Sequence, residues 1–294
     1  MEVLTESQAS FYRENGYLVL ENRVPMDTIE AIRSEIDRFA VEAAEMDASN
    51  DRIDLEDTHS RENVRMRRIK LPHSCSEIVA KLMRSDTILA PARDLIGPNL
   101  RLHTTKLNMK SAGFGAAIEW HQDMAFYPHT NDDVLAIAVI IDDMKHENGP
   151  LMVFPGSHKG PTYDHHSDGV FAGAMDLSAN GLDTKDAVEL TGPAGSISIH
   201  HGRIIHGSAL NTSTRDRRLL YYEIMAADAF PIMGSMTKFD EIEEYNSRML
   251  CGEPTLTPRL SDWPVRIPQP QPDAARSIYE IQKGMKNRAF KTIS

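Results

Sequence analysis

Seven short stretches between residues 101 and 225 decide the fold: RLHTTKLNM (101–109), WHQDMA (120–125), VLAIAVII (134–141), LMVF (151–154), SISIH (196–200), II (204–205) and LLYYEIM (219–225). They are rich in β-branched, aromatic and other apolar residues and are separated by Gly, Pro, Asn and Asp, which is the pattern of strands and turns. Many short strands with no helices between them imply a sandwich or a barrel, because each apolar sheet face must be buried against another layer. Residues 156–190, rich in Gly, His and Asp, interrupt the series. They are long for a hairpin loop and so are expected to be an insertion near a site.

Upstream the pattern is helical. Thr5 caps a helix running through Tyr12, Asn15-Gly16 makes a turn, and Tyr17–Leu20 reads as a strand. Asp27 and Glu30 have capping-box spacing, and Ile29, Ile32, Ile36 and Phe39 recur on one helical face up to about Met46. Residues 47–64 are polar, acidic and aperiodic and read as a loop. Helical patterning returns over 76–96, breaks near Ser85-Asp86 and stops at Gly97-Pro98. The expected organisation is one domain over 1–250, with a helical part (1–97) and a β core (98–230), followed by a Pro-rich tail with a short helix over 251–294.

The chain has 294 residues, 41% apolar and 26% charged, which suits a folded protein with a sizeable core. Lys and Arg number 32 against 43 Asp and Glu, and a net charge of −11 opposes binding to nucleic acid or an anionic membrane. The partner expected is a small molecule; oligomeric state stays open. The longest apolar run, Val134–Ile141, falls far short of the roughly 20 residues of a spanning helix. The opening MEVLTESQ is acidic where a secretory signal would be basic, and the closing KTIS matches no address signal, so the cytoplasm is the expected location. Cys75 and Cys251 form no CxxC pair and are read as plain small residues.

The chemistry starts at His121-Gln122-Asp123. On a strand, residues i and i+2 face the same way, about 6.5–7 Å apart, so one imidazole and one carboxylate can converge on an ion. Two His and one carboxylate on one face leave three open positions, the arrangement of non-haem Fe(II) oxygenases. The second His must come from downstream, where His200, His201 and His206 are candidates.

The order H-x-D (121–123), then NGPLxVxPGSH (148–158), then HGSxxN (206–211) with an Arg eleven residues after its His resembles the phytanoyl-CoA dioxygenase family of Fe(II)/2-oxoglutarate oxygenases. The opening FYRENGYLVL (11–20) is similar as well, and the resemblance covers residues 5–228. It implies a double-stranded β-helix, a cupin-like jelly roll that is mainly β with flanking helices, its N-terminal helices packed on one side. It implies iron held by His121, Asp123 and His206, with 2-oxoglutarate and O2 as cosubstrates. Arg217 matches the position that binds the distal carboxylate of 2-oxoglutarate, and a planar guanidinium suits that task. Ser208 matches a hydroxyl donor to the same carboxylate; Gln122, within the ligand motif, and Lys70, in RRIKLPH, are further cosubstrate contacts. The reaction implied is hydroxylation, or a related oxidation, of a small organic molecule with release of succinate and CO2. Asp123 favours hydroxylation over halogenation, because family halogenases have a small residue there.

His200 and His201 are expected to be satisfied strand or turn histidines, His158 to fix its loop, Trp120 to be core, and Arg215 and Arg218 to be surface charges. Family members carry a Trp in the strand after the ligand motif; here Ala138 and Val139 stand, so the site is roomier or another side chain fills the space. A cupin-like metal isomerase and a non-catalytic relative remain as alternatives, although the isomerase has no need of Arg217 and Ser208 in this register and a non-catalytic relative usually loses one of the three ligands, all of which are present here. The expected substrate walls are residues 47–64, 111–117, 124–133 and 156–190. An acyl-CoA, an amino acid, a phosphonate and a secondary metabolite all stay open as substrates.

Overall fold

The computed structural model describes all residues except 114, 235–236, 273–276 and 291–294, so parts of the expected 111–117 wall and of the expected tail lie outside the described residues. The strands are β1 (Tyr17–Leu20), β2 (Ile53–Leu55), β3 (Met66–Lys70), β4 (Leu100–Lys110), β5 (Ile118–His121), β6 (Val134–Ile140), β7 (Leu151–Val153), β8 (His166–Ser167), β9 (Val170–Phe171), β10 (Val188–Leu190), β11 (Ile197–His201), β12 (His206–Ser208), β13 (Arg217–Ala226) and β14 (Met249–Cys251). The helices are α1 (Glu6–Asn15), α2 (Met26–Ala44), α3 (Glu77–Met83), α4 (Asp86–Ile96), α5 (Ile242–Ser247) and α6 (Ile278–Gln282).

Two antiparallel sheets face each other. The larger runs β1-β11-β6-β13-β4-β3-β2, with β14 added on β4, and the smaller runs β10-β7-β12-β5. From β4 to β13 the chain passes repeatedly between the sheets, which makes a double-stranded β-helix, or jelly roll.

Alternation along the strands explains both layers. On β13, Leu220, Tyr222 and Ile224 enter one core cluster, while Leu219 and Tyr221 enter another between the sheets. On β6, Ile137 and Val139 join the first cluster and Ala136, Ala138 and Ile140 the second. All seven residues of β6 are buried, so this central strand reads as a continuous apolar run.

The helical layer covers the outer face of the large sheet. Ile29, Ile32, Ile36, Phe39 and Ala43 recur every three or four residues along α2 and are all buried. Each of the three Ile and the Phe contributes about 1.5–3 kcal/mol by leaving water. α1 carries a full capping box between Thr5 and Gln8 and ends at Gly16 with φ 79°. A Cβ on Gly16 would lie 2.5 Å from the His158 ring, so this turn needs glycine twice over. His158 Nε2 lies 3.2 Å from the Arg13 carbonyl and ties the 156–158 turn to α1, as a loop-fixing histidine should.

Some local expectations are corrected. No box forms at Asp27 and Glu30: Pro25 is the N-cap of α2, and the Asp27 carboxylate accepts from the Thr28 N–H instead. Residues 47–64 are not all loop, because Ile53–Leu55 pairs with β3. Ile204-Ile205 precedes its strand, which begins at His206. Strand β5 ends at His121, and Asp123 opens a short 3-10 turn through Ala125.

The described parts of the C-terminal segment, 251–272 and 277–290, reach the β core. The Trp263 indole N–H donates to the His129 carbonyl at 3.1 Å, and the Phe290 ring stacks on Trp120 at 5.5 Å. Trp120 is fully buried there with Phe154, Met175 and Ile205, a core residue as expected. No helix among the described residues is long and apolar enough to cross a membrane, and both cysteines are free.

Candidate active site

His121 and His206 lie directly opposite each other on β5 and β12 of the small sheet. Their ring centroids are 4.1 Å apart. The turn after β5 swings the Asp123 carboxylate between them, with Oδ1 3.7 Å from each Nε2. One donor atom from each residue lies within 4.8 Å of the others, and all three residues are buried. Both rings have their Nδ1 against a backbone carbonyl, Glu119 O at 2.8 Å and Ile204 O at 3.0 Å. A carbonyl only accepts, so Nδ1 carries the hydrogen and the Nε2 lone pair points to the common centre. This is the second-partner arrangement typical of metal-binding histidines.

Electrostatics favour the ligand states. Burial, with the neighbouring ring, holds His121 well below the ordinary histidine range, and burial brings His206 down to about 4. Burial alone would raise Asp123, but His206, His200 and Lys106 outweigh it and keep the carboxyl well below its usual range. The centre therefore presents two neutral imidazoles and a carboxylate at neutral pH, a donor set that suits Fe(II).

His200 is more than a satisfied strand histidine. Its Nε2 lies 3.4 Å from Asp123 Oδ2, the oxygen turned away from the other two rings. It orients the carboxylate without being placed as a ligand. Its position gave a signal, since β11 puts His200 on the inward face while the outward Ile199 enters the helix-side core. His201 faces elsewhere, its Nδ1 accepting from the Arg203 N–H at 3.1 Å.

These groups line a cavity of about 570 Å³, within the usual size of a small-molecule site. Arg217 and Ser208 line it too. Arg217 is buried, and one of its nitrogens donates to the Gly149 carbonyl at 2.9 Å. Its Nε has no partner, and among the described residues no carboxylate forms an ion pair with it. Burial lowers its pKa from the ordinary arginine value. A buried guanidinium without an anion is costly, and this one faces a cavity that could supply one. Gly149 sits at φ 68°, and a Cβ there would come within 2.5 Å of Ala209 O, so the turn that meets Arg217 requires glycine. Asn211 braces the same corner by donating to Lys110 O and Arg215 O at 2.9 and 2.7 Å. Arg218 points the other way, in a two-pronged pair with Asp142 at 2.7 and 2.6 Å. Arg215 is exposed beside Glu147.

Gln122 is corrected. Its amide donates to Pro161 O and Arg203 O at 3.1 and 2.8 Å and accepts from the Tyr163 N–H at 2.9 Å. Alternation turns it away from the cavity, where it ties three loops together rather than touching a cosubstrate. Lys70 does line the cavity, but two strands away from Arg217, with its ammonium 2.9 Å from Asp54 Oδ1. Tyr221, directly across from Ala138, supplies a large side chain to the wall where the sequence has no Trp.

Sequence reasoning did not assign the C-terminal segment to the site, yet Gln271, Ser277, Ile278 and Ile281 line the cavity. The buried Gln282 amide accepts from Glu119 N–H and donates to Gly173 O, both at 2.9 Å. Glu119 is the residue whose carbonyl orients His121. Gln282→Ala leaves these buried groups unpaired, at about 1–3 kcal/mol for each. It is therefore expected to raise the rate of limited proteolysis within 277–290 by at least about tenfold. Unchanged cleavage would show that α6 is held by other contacts.

A pH dependence follows from burial. His129, His165, His201 and His206 are held at about 3, 4, 3 and 4, in each case first by desolvation. Unfolded, each titrates near 6.5. As the pH falls from about 6.5 to 4 the unfolded chain takes up protons that the folded one refuses. The metal-free protein should then lose stability by up to about 1.4 kcal/mol per pH unit for each histidine. Urea midpoints at pH 7, 6 and 5 should drop steeply below pH 6.5; a flat series would show that the rings protonate in place.

Comparison with known proteins agrees with this geometry. Residues 12–219 match the phytanoyl-CoA dioxygenase family. A Stutzerimonas stutzeri protein named as a probable alpha-ketoglutarate-dependent hypophosphite dioxygenase is 34% identical over 283 residues, covering 95% of this chain and 97% of its own. The human peroxisomal phytanoyl-CoA dioxygenase is 26% identical over 82% of this chain and 74% of its own. The structure of EctD from S. alaskensis with 2-oxoglutarate and 5-hydroxyectoine shares the fold, with a TM-score of 0.67 at 23% identity over 89% of this chain and 88% of that one. On the family match and the donor set together, the chain belongs to the phytanoyl-CoA dioxygenase family of Fe(II)- and 2-oxoglutarate-dependent dioxygenases.

Proposed function

We propose that His121, Asp123 and His206 hold the iron, that Arg217 and Ser208 hold the distal carboxylate of 2-oxoglutarate, and that the substrate is a small polar molecule. The observation that carries this is the buried guanidinium of Arg217, without a carboxylate partner, in the same cavity as the three convergent donors. When bound, iron with 2-oxoglutarate and O2 supplies the oxidising chemistry that turns the cosubstrate into succinate and CO2 and oxidises the substrate.

The chain's own residues bind and orient. The two Nδ1–H bonds to Glu119 O and Ile204 O fix the imidazole planes, and His200 fixes the carboxylate. Arg217 offers two parallel donors to a carboxylate, and its always-charged fork sets the angle of approach. Phe126, Leu151, Ile118 and Ile281 give the cavity apolar walls that limit water.

A small polar substrate is supported by the names of relatives, which include an L-proline trans-4-hydroxylase of Streptomyces griseoviridis and ectoine dioxygenases besides the hypophosphite protein. A cytoplasmic setting goes with this reading, because both thiols are free. The test is anaerobic titration of 2-oxoglutarate into the Fe(II) protein. A weak visible charge-transfer band is expected, whereas a cupin-like isomerase or a non-catalytic binder gives none. A substrate screen scored by succinate formation would then identify what is oxidised.

A further inference from the structure

The inward face of β3 and β4 is unusually cationic. Lys70 lies directly across from Lys106, and Arg68 directly across from Asn108. All four line the cavity. Like charges directly opposite on neighbouring strands are destabilising, and the surroundings only partly relieve them. One carboxylate, Asp54, serves both Lys70 at 2.9 Å and Arg68 at 3.7 Å, the latter beyond hydrogen-bond reach. Lys106 pairs with Glu223 at 2.5 Å, and Glu223 also accepts from the Tyr127 hydroxyl. The buried Nε of Arg68 has no hydrogen-bond partner.

The charge balance on β3 and β4 points the same way. The cavity wall carries five cations, Arg68, Lys70, Lys106, Arg217 and Arg248, against three carboxylates, Asp51, Asp123 and Glu223. Asp54 stands behind the wall and Glu244 lies 3.9 Å from Arg248, so the whole wall is balanced, whereas the three cations of β3 and β4 share only Asp54 and Glu223 and keep one positive charge over. Fe(II) and the dianionic cosubstrate cancel each other, so their binding does not remove the surplus. In a protein whose net charge is −11, this local excess is opposite in sign to the whole.

The excess is also separate from the cosubstrate end. Arg217 lies across from Lys110, whereas Lys106 lies across from Tyr221, four residues further along β13. At about 3.3 Å per residue that is roughly 13 Å. We propose that Arg68, Lys70 and Lys106 form a second anion site, which receives an oxyanion headgroup of the substrate, a carboxylate or a phosphorus oxyanion, and presents the rest of the molecule to the metal centre. The proposal rests on the functional reading above and reassigns Lys70 from the cosubstrate to the substrate.

The test uses the full-length Fe(II) protein under anaerobic conditions with saturating 2-oxoglutarate. It is titrated calorimetrically with propionate, methylphosphonate and hypophosphite, and with propionamide as the neutral match of propionate. At least one anion should bind tenfold or more tightly than propionamide, and which one does separates the carboxylate from the phosphorus source. Arg68→Met and Lys106→Met should each weaken that anion at least tenfold while changing 2-oxoglutarate affinity less than twofold. Propionamide binding as well as the anions, or no anion binding while 2-oxoglutarate binds normally, overturns the proposal and leaves the dioxygenase reading standing. Loss of 2-oxoglutarate affinity in these variants assigns the cations to the cosubstrate and overturns it as well. Failure of 2-oxoglutarate to bind the unmodified protein sinks both readings. The comparison of anions with propionamide needs no variant, so a misfolded substitution does not decide the matter.

Discussion

His206→Ala is expected to reduce 2-oxoglutarate turnover to background and to weaken iron binding by more than the roughly 10- to 100-fold typical of losing an outer-shell partner. The three donors converge within 4.8 Å, and among the described residues no fourth donor joins the group. Removing the His206 imidazole would leave His121 and Asp123 alone, so the site would lose a donor and not merely an orienting contact. His200→Ala is the informative companion. It removes the group 3.4 Å from Asp123 Oδ2 but no ligand, so a loss of roughly 10- to 100-fold in iron affinity or turnover is expected, with activity still measurable. Iron affinity by competitive chelation and turnover by succinate release check both. Full turnover in His206→Ala together with none in His200→Ala would show that β11, not β12, supplies the distal ligand.

How much of this was legible depends on whether the signal was local. Strand periodicity in 134–141 and 219–225 was strong because both faces of β6 and β13 are packed, one under helices and one between sheets. The donor triad was legible through the family resemblance of the ordered motifs, since strand spacing alone left His200, His201 and His206 open, and the structure places His121 and His206 opposite each other as neighbours on one sheet. Gln122 was misplaced because its neighbours in sequence are two of the three convergent donors, while alternation sends its own side chain to the loops behind. The strand Ile53–Leu55 was hidden in a polar stretch: it is an edge strand held by pairing to β3, and its acidic Asp54 answers Lys70 and Arg68 rather than solvent. The tail's part in the cavity had no local signal at all. It depends on Gln282 meeting Glu119, 163 positions away in the chain, and a contact of that kind is set by packing alone.

Arg217→Met should weaken 2-oxoglutarate by at least tenfold without destabilising the cosubstrate-free protein. Each charge-assisted hydrogen bond to a carboxylate contributes about 1.5–3 kcal/mol, so losing even one of a bidentate pair reaches an order of magnitude. In the free protein the same guanidinium is buried, has an unpaired Nε and, among the described residues, donates to the Gly149 carbonyl and to no carboxylate, so its removal relieves a desolvation cost. Affinity and stability should therefore move in opposite or unrelated directions, which separates a binding role from a packing one. Arg217→Lys should restore only part of the affinity, because an ammonium is a point charge without the planar fork. Arg218→Ala is the control. It breaks the two-pronged pair with Asp142 on the opposite face of the same strand and should leave 2-oxoglutarate affinity unchanged. Titration of the charge-transfer band reads affinity, and urea unfolding of the metal-free variants reads stability. Normal cosubstrate affinity in Arg217→Met, with the loss appearing in Arg218→Ala, would mean that the register of β13 is displaced by one residue and that the inward face has been assigned to the wrong set of side chains.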